Sequence, residues 1–280
     1  MEDIISMNHI EYSYFGKIQA LKDINLSVAK GDMLCIIGLN GSGKSTLLHI
    51  INALIFPDSG ELSFEGNIIS EKLLKNTEFG MVFRQRMGYI FQNPDIQLFC
   101  PTVFDELLFG PLQLKIPVEK AVGRAEETMD FMGIRYLKER PVYMLSGGEK
   151  KRVAIASVLT INPDVLLVDE PLSSLDPRTQ TFFTELLLEL NQAGKTIIFT
   201  THHLDLIDHL QPKVAVLSED HTIHRTGTTA EILGDEELLI SVNLIHEHVH
   251  KHGSVIHKHY HSHYGFHKHS DNYGKYNIKE

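Results

Sequence analysis

Cysteine is scarce in this sequence, which contains only Cys35 and Cys100 among its 280 residues. Both lie in apolar surroundings without the spacing of metal ligands, and a single pair is too few to indicate a disulfide framework. A reducing compartment such as the cytoplasm therefore fits the chain best.

Positive charge is also in short supply. Lysine and arginine total 26 against 36 aspartates and glutamates, which gives a formal net charge of −10. Proteins that bind nucleic acid by broad neutralisation of phosphates carry the opposite balance. We therefore expect no nucleic-acid partner.

Long apolar runs are missing as well. The longest candidate, Leu47–Phe56, is about half a membrane span and is interrupted by His49 and Asn52. The acidic first residues lack the charged and apolar regions of a secretory signal. We expect that the chain itself does not cross a bilayer.

Apolar residues are nevertheless sufficient for a core, because their share of 42% is ordinary for a globular protein. One large α/β domain followed by a tail is the simplest organisation at this length. The composition changes abruptly at His246, so we predict a domain over residues 1–245 and a His-rich, flexible tail over residues 246–280.

Apolar periodicity predicts alternating strands and helices within the domain. A helical subdomain is expected over about residues 95–160, with Pro117 in the first turn of one helix. The predicted strands are Ile4–Tyr12, Ile24–Val28, Asp32–Ile37, one between Gly80 and Gln92, Val165–Val168, Thr196–Thr201 and Val214–Leu217. The other predicted helices are Ser45–Leu54, Ser146 to about Leu159, and Thr179–Asn191.

The most specific pattern is a glycine-rich loop between a predicted strand and a predicted helix. Its residues are Gly38, Leu39, Asn40, Gly41, Ser42, Gly43, Lys44 and Ser45, followed by Thr46 in the first helical turn. Glycines let successive backbone N–H groups face an anion, and the helix N-terminus adds its positive dipole end. Lys44 would reach terminal phosphates and the Ser45 hydroxyl would bind Mg²⁺. The loop therefore predicts a nucleotide site, but it does not indicate which class of nucleotide-binding protein the chain belongs to.

Two carboxylates follow the buried strand Val165–Val168 at its carboxyl end, where open α/β sheets bind ligands. Asp169 can hold Mg²⁺ through water, and Glu170 can polarise a water that attacks the γ-phosphate. His202 follows the strand Thr196–Thr201 and should emerge at the same edge, although the adjacent His203 leaves open which ring faces the site.

A second anion site is predicted about a hundred residues after the first. Ser146 is a helix N-cap, and Gly147, Gly148 and Glu149 follow it at the helix start. If both sites engage one nucleotide, they do so most simply from different subunits arranged head to tail, with ATP between them.

Together these residues resemble the ABC ATPases over nearly all of positions 1–234. The resemblance implies a P-loop NTPase fold of that type, α/β in class, with a mixed sheet, a mainly helical subdomain and a small antiparallel β subdomain. It implies ATP and Mg²⁺ as cofactors. The residue roles that it implies are adenine stacking by Tyr14, a Walker A loop at Gly38–Thr46, a Q-loop residue at Gln92 that also reaches the Mg²⁺, a signature at Ser146–Glu149, Walker B at Asp169 and Glu170, a D-loop at Ser174, Leu175 and Asp176, and a switch histidine at His202.

The chain departs from the family pattern at a few positions. Glu149 stands where glutamine is more usual, His203 where an acidic residue often follows the switch, and Asp220-His221 where a turn glycine is common. None of these positions is one that the resemblance makes essential to hydrolysis.

The segments Phe91–Phe99, Thr102–Glu106 and Phe109–Pro111 are similar to the ATPases of energy-coupling-factor importers, particularly those for cobalt or nickel. This similarity implies that a groove around Gln97–Phe109 receives a coupling helix of an integral membrane component. It also implies a location on the cytoplasmic face of the membrane and a second ATPase subunit, which is either another copy or a paralogue.

Ten histidines lie between His246 and His269, mostly as His-x-His. Residues two apart share a face of an extended chain and residues four apart share a face of a helix, so either geometry could chelate a metal. Imidazoles suit nickel, cobalt, zinc and copper alike. The candidate ligands are His246, His248, His250, His252, His257, His259, His261 and His263, with Ni²⁺ or Co²⁺ as the expected metal and a disordered tail that binds metal only incidentally as the alternative.

Two other functions stay open. The importer could carry a vitamin or another small molecule, or the transport could run outward. A soluble ABC ATPase of DNA repair or translation is disfavoured, because such proteins carry long coiled coils or two ATPase modules, whereas this chain has one set of motifs and no heptad run.

Overall fold

The computed structural model describes residues 2–75, 78–173, 175–252 and 255–262. Its strands are β1 (Asp3–Tyr14), β2 (Ile18–Ala29), β3 (Met33–Ile37), β4 (Ser59–Phe64), β5 (Asn67–Ile68), β6 (Met87–Ile90), β7 (Val165–Val168), β8 (Thr196–Thr200), β9 (Lys213–Leu217), β10 (Ile223–Thr228), β11 (Ile245–His252) and β12 (Val255–Ser262). Its α-helices are α1 (Lys44–Ile51), α2 (Glu71–Leu74), α3 (Glu78–Arg86), α4 (Val103–Gln113), α5 (Val118–Phe131), α6 (Gly147–Leu159), α7 (Pro177–Gln192), α8 (Leu204–Leu210), α9 (Thr229–Leu233) and α10 (Glu236–Ser241).

A six-stranded sheet in the order β10-β9-β3-β8-β7-β6 forms the centre of the molecule. β3 pairs in parallel with β8 and β9, and β7 pairs in parallel with β6 and β8, while β10 adds an antiparallel edge. Every residue of β3, β6, β7 and β8 is buried, as expected for parallel strands covered on both faces. The carboxyl ends of β3, β7 and β8 consequently meet at one edge of the sheet.

Alternation along the central strands divides the apolar core in two. Cys35, Val168 and Phe199 belong to a core shared with α4, α5, α6 and α7. Ile36, Leu167 and Ile198 belong to a second core shared with β1, β2 and α1. One sheet thus supports helices on one face and the second, antiparallel sheet (β2-β1-β4-β5) on the other.

The helices α4, α5 and α6 occupy the stretch that the sequence predicts to be helical. Val103, Leu107 and Met129 are fully buried and pack in the same core as Val153 of α6. Pro117 is the N-cap of α5 rather than a residue of its first turn, so this prediction was one position too far into the helix.

The strand predicted between Gly80 and Gln92 is partly wrong. Residues up to Arg86 form α3, and only Met87–Ile90 forms a strand. Phe79 and Phe83, four residues apart, both pack in the core with β1 and β2, which is helical spacing.

The first half of the predicted tail has backbone structure. β11 and β12 pair antiparallel in a two-stranded sheet, so the extended one of the two geometries left open by the sequence is observed for residues 245–252 and 255–262. His263 and the residues after it lie outside the described residues. Over the described ranges, no helix is both long enough and apolar enough to cross a membrane.

We expect Phe183→Ala to lower the free energy of unfolding by about 3–5 kcal/mol, because Phe183 of α7 is 1% exposed and its removal leaves a cavity in the core. Phe131→Ala removes the same atoms from a side chain that is 54% exposed and should cost much less. Urea denaturation of both variants measures the difference. Equal losses would contradict the division between core and surface described here.

Candidate active site

The glycine-rich loop connects β3 to α1 and is pressed against two neighbouring segments. A Cβ at Gly38 would lie 2.2 Å from the Leu217 carbonyl oxygen. A Cβ at Gly43, where φ is 110°, would lie 2.3 Å from the Ala20 carbonyl oxygen. Glycine is required at both positions because the backbone leaves no room for a side chain.

Lys44 is the buried cation of this loop. Its Nζ donates hydrogen bonds to the carbonyl oxygens of Gly38, at 2.8 Å, and Leu39, at 3.0 Å. Burial lowers the pKa of Lys44, while the nearby carboxylates of Glu170 and Asp169 act in the opposite direction. The ammonium group is therefore held inside the curl of the loop and beside both acidic residues.

Asp169 and Glu170 follow β7 directly, and both are buried. The Thr200 hydroxyl, at the end of the neighbouring strand β8, donates to Asp169 Oδ1 at 2.6 Å and accepts from the Glu170 N–H at 3.0 Å. Glu170 has a φ of 45°, a left-handed conformation that is uncommon for a residue with a side chain. The hydroxyl thus fixes the turn that separates the two carboxylates.

His202 and Glu170 form a close pair at this edge. The His202 Nδ1 lies 3.0 Å from Glu170 Oε1 and 3.0 Å from Oε2. His202 lines the cavity beside the loop, whereas His203 stacks on the His202 ring with centroids 4.2 Å apart. Burial, followed by the charge of His202, lowers the pKa of His203. The structure therefore distinguishes the two rings, which the sequence could not.

The loop, Glu170 and His202 surround one cavity of about 610 Å³. Tyr14 forms part of its wall, and its hydroxyl lies 3.0 Å from the Thr46 hydroxyl. The predicted site residues that line this cavity are Tyr14, Asn40, Gly41, Gly43, Lys44, Ser45, Thr46, Gln92, Glu170 and His202.

The predicted signature lies apart from this cavity. Ser146 caps α6 by accepting from the Glu149 N–H, and Glu149 Oε2 accepts from the Ser146 N–H at 2.8 Å. That hydrogen bond is the main reason why the pKa of Glu149 is lowered. Asp176 likewise caps α7 by accepting from the Thr179 N–H at 3.1 Å. None of Ser146, Gly147, Gly148, Glu149 or Asp176 lines the cavity beside the loop within this chain.

Sequence reasoning missed several residues of the site. Thr200 gives no signal in the sequence, because its role depends on the register between β7 and β8. His221 lines the cavity, and its Nδ1 lies 3.0 Å from the Ser42 carbonyl oxygen, yet it drew notice only as a departure from a usual glycine. Ser173 also lines the cavity. It lies three residues after Glu170, and the spacing of the predicted Walker B residues does not single it out.

Lys151 was missed as well, although it links α6 to the backbone at Phe91 and Gln92. Its buried Nζ donates to the carbonyl oxygens of Phe91, at 2.9 Å, and Gln92, at 3.3 Å. Burial lowers the pKa of Lys151 to about 8. A movement of α6 would therefore be transmitted to the backbone at Gln92.

An exposed apolar surface lies on the segment after Gln92 and on α4. Phe99 is 64% exposed and Ile96 is 66% exposed, and the Phe99 ring meets the Phe109 ring edge to face at 4.8 Å between centroids. The buried Glu106 carboxylate accepts from the N–H groups of Phe99 and Cys100, at 3.0 and 2.8 Å, and so holds this surface outward.

The residues present fit a nucleoside triphosphate with Mg²⁺. The Ser42 hydroxyl is buried in the loop without a hydrogen bond to any described residue, and Glu170 Oε2 is buried with the His202 ring nitrogen beside it, at 3.0 Å. Lys44 supplies positive charge for phosphates, while Ser45, Gln92 and Asp169 carry the oxygen ligands that Mg²⁺ prefers. Such a fold and site define a P-loop nucleotide-hydrolysing protein.

Comparison with known proteins identifies the family. The family described as ABC transporter matches residues 21–173, and the chain belongs to it. It is the ATP-binding subunit of an ABC transporter, in which ATP hydrolysis is coupled to transport. Its fold is accordingly the ABC ATPase fold, as the sequence predicted.

Three similar proteins illustrate the relationship. A nickel import ATP-binding protein, NikO, of Rhodobacter capsulatus is 40% identical over 248 residues, which cover 88% of this chain and 97% of the relative. The energy-coupling factor transporter ATP-binding protein EcfA of Methanosphaera stadtmanae is 37% identical and covers 87% of this chain and 86% of the relative. The structure of cbiO1 from Clostridium perfringens, part of the ABC transporter complex cbiONQ, superposes with a TM-score of 0.73 at 35% identity, covering 87% of this chain and 96% of that one.

We expect Thr200→Val to lower kcat for ATP hydrolysis roughly 5- to 100-fold, because it leaves the buried Asp169 and Glu170 groups without their shared partner. ATP binding should persist, since the loop around Lys44 is unchanged. Steady-state hydrolysis and nucleotide titration measure the two effects.

Thr196→Val is the matched control. Thr196 is equally buried at the other end of β8, where its hydroxyl accepts from the Gly31 N–H at 2.8 Å. A similar loss of kcat in both variants would assign the effect to the stability of β8 rather than to the hydrogen bonds of Thr200 with Asp169 and Glu170.

Proposed function

We propose that this chain drives the import of a transition-metal cation, nickel or cobalt, through a membrane complex. The similarity to a nickel import ATP-binding protein and to part of a cbiONQ complex is the observation that carries this choice of cargo. The ten histidines that follow residue 245 support it. A vitamin or another small molecule is the alternative cargo, supported by the similarity to energy-coupling factor ATPases.

The proposed roles are supported by the residues that line the cavity and by the resemblance to the family. Lys44 and the N–H groups of the loop bind the phosphates, and Tyr14 stacks on the adenine. Glu170 takes the proton of the attacking water, and His202 fixes the Glu170 carboxylate and meets the γ-phosphate. Ser45, Gln92 and Asp169 hold Mg²⁺, which supplies neutralising charge when bound.

Two ATPase subunits are needed in this proposal. The capped end of α6 with its two glycines is a predicted anion site that lies outside the cavity of its own chain, and we propose that it completes the site of a partner arranged head to tail. Asp176 joins it at that interface. A dimeric ATP-binding cassette bound to ADP and phosphate, MJ0796, is 27% identical and superposes with a TM-score of 0.71, which supports a pair of subunits.

The membrane component is proposed to bind the exposed surface around Phe99 and Phe109. This surface lies next to Gln92, and Lys151 ties the Gln92 backbone to α6. Closure of the dimer on α6 would therefore move the Q-loop and the docked membrane component together. The chain would work at the cytoplasmic face of the membrane.

Uptake of radioactive nickel or cobalt into vesicles that contain the reconstituted complex tests the cargo. ATP-dependent accumulation of either metal is expected. Accumulation of a vitamin with no uptake of either metal would favour the alternative cargo.

We expect Glu170→Gln to bind ATP, accumulate as a nucleotide-bound dimer and hydrolyse ATP very slowly, because the amide cannot accept the proton of the attacking water. Size-exclusion chromatography with ATP and phosphate-release assays measure this. Glu119→Gln, on the exposed surface of α5, is the control and should behave like the parent chain. Brisk hydrolysis by Glu170→Gln would remove Glu170 from the role of base.

We expect Phe99→Glu to leave the ATPase activity of the isolated chain unchanged but to abolish assembly with the membrane component and uptake. A charge on this apolar surface would have to be buried at the interface. Phe131→Glu makes the same change on another exposed phenylalanine, at the end of α5. Equal assembly of the two variants would mean that the membrane component docks elsewhere.

A further inference from the structure

His221 lies in the turn between β9 and β10, where a glycine is common in the family. Its φ is 66°, in the left-handed region that glycine adopts more freely than residues with a side chain. The backbone conformation therefore gives no reason for a histidine at this position. The reason has to come from the contacts of the ring.

The turn keeps its shape without the His221 ring. The Ser218 N–H donates to the Thr222 carbonyl oxygen at 3.0 Å, and the His221 N–H donates to the Ser218 carbonyl oxygen at 3.1 Å. The Asp220 carboxylate accepts from the Thr222 hydroxyl at 2.9 Å. The His221 carbonyl oxygen accepts from the Lys22 N–H at 2.9 Å, which joins the turn to β2. Both backbone groups of His221 are thus engaged, and the ring is not needed to close the turn.

The ring is hydrogen-bonded to the glycine-rich loop through one of its two nitrogens. His221 Nδ1 lies 3.0 Å from the Ser42 carbonyl oxygen. Because a carbonyl oxygen only accepts, Nδ1 carries the hydrogen, and Nε2 of the neutral ring is then an acceptor. Nε2 has no hydrogen-bond partner among the residues that the structure describes. Since His221 lines the cavity, Nε2 is the polar atom that the ring can offer to a ligand there.

His221 lies where the two ends of the cavity meet. The hairpin of β1 and β2, with Tyr14, forms one end, and the loop with Lys44 forms the other. The turn contacts both ends, because the His221 carbonyl oxygen binds Lys22 of β2 and the ring binds Ser42 of the loop. A nucleotide whose base stacks on Tyr14 and whose terminal phosphates reach Lys44 has to place its ribose between them. This step rests on the proposed roles of Tyr14 and Lys44.

An acceptor nitrogen suits the ribose better than it suits the phosphates. The 2′- and 3′-hydroxyls of a ribose donate hydrogen bonds, whereas ionised phosphate oxygens only accept and would meet the lone pair of Nε2. A site that hydrogen-bonds a hydroxyl also disfavours an analogue that lacks it, because the polar atom of the site is then left without a partner.

We propose that His221 binds the ribose of the nucleotide, with Nε2 accepting a hydrogen bond from a ribose hydroxyl while the Nδ1–H holds the ring against the Ser42 carbonyl oxygen. His221 is then a specificity-determining residue that favours ribonucleotides over deoxyribonucleotides. Its contact adds to the binding of the phosphates by the loop and of the base by Tyr14.

Calorimetric titration of the full chain with ADP, 2′-deoxy-ADP and 3′-deoxy-ADP, each with Mg²⁺, measures this contact. Diphosphates are used because ATP hydrolysis does not consume them. We expect the parent chain to bind ADP roughly 3- to 10-fold more tightly than at least one of the deoxy forms, which corresponds to one hydrogen bond. Equal affinity of the parent chain for all three nucleotides would overturn the proposal.

His221→Asn removes the ribose contact and keeps the contact with the loop. Asparagine tolerates the left-handed conformation, and its amide nitrogen can replace Nδ1 as the donor to Ser42, but it has no atom in the place of Nε2. We expect this variant to bind ADP as weakly as the disfavoured deoxy form and to lose the discrimination. If the variant discriminates like the parent chain, or binds all three nucleotides more weakly by one common factor, the ring does not bind the ribose.

Two further variants control for the fold and for the substitution itself. His221→Gly removes both ring nitrogens at a φ that suits glycine, so it should fold like the parent chain and lose the same discrimination. His224→Asn makes the asparagine change at an exposed position of β10 and should bind all three nucleotides like the parent chain. Urea denaturation measures whether each variant keeps the stability of the parent chain.

Tyr14→Ala separates this proposal from the proposed placement of the base. Stacking involves the base alone, so this variant should bind all three nucleotides more weakly by one common factor. No effect of Tyr14→Ala would reject the base stacking, whereas loss of discrimination in His221→Asn would still support the ribose contact. Weaker binding by Tyr14→Ala together with unchanged discrimination in His221→Asn would reject the ribose contact alone.

Discussion

The Thr200 hydroxyl joins two neighbouring parallel strands at the point where the chemistry of the site is assembled. It donates to Asp169 and accepts from the backbone of Glu170, and the left-handed turn at Glu170 would otherwise have an unpaired buried N–H. The turn brings the Glu170 carboxylate to His202, two residues beyond Thr200. One buried hydrogen-bonding group thus fixes both acidic residues and the histidine relative to each other.

The Lys44 ammonium group supplies the positive charge that balances the carboxylates of Asp169 and Glu170. Lys44 is buried in a loop whose glycines allow close contact with Leu217 and Ala20, and the two carboxylates oppose the lowering of its pKa by burial. A buried ammonium group that faces acidic residues and retains capacity for further hydrogen bonds suits a polyphosphate accompanied by a cation. The ligand preference of the cavity therefore follows from how its charges are balanced, not from any one residue.

The separation between the capped end of α6 and the cavity has a mechanical consequence. Lys151 lies on α6, and its ammonium group donates to the carbonyl oxygens of Phe91 and Gln92. The half-buried Gln97 amide makes a second connection, donating to the Ala154 carbonyl oxygen of α6 at 2.6 Å. The segment that carries the exposed surface at Phe99 is thus tied to α6 through two polar contacts, and the proposed coupling between nucleotide closure and a membrane component requires such a connection.

The sequence by itself determined the nucleotide loop, the acidic strand end and the N-cap at Ser146, because each is a local pattern whose chemistry depends on residues close together in the chain. It determined most strands for the same reason, but it misjudged Gly80–Arg86, where a short amphipathic segment forms a helix against the antiparallel sheet. Only the tertiary structure decided that His202 rather than His203 lines the cavity and that Thr200, Lys151 and His221 belong to the site. Those features depend on the pairing of segments distant in sequence, and the spacing of residues along one segment does not carry that information.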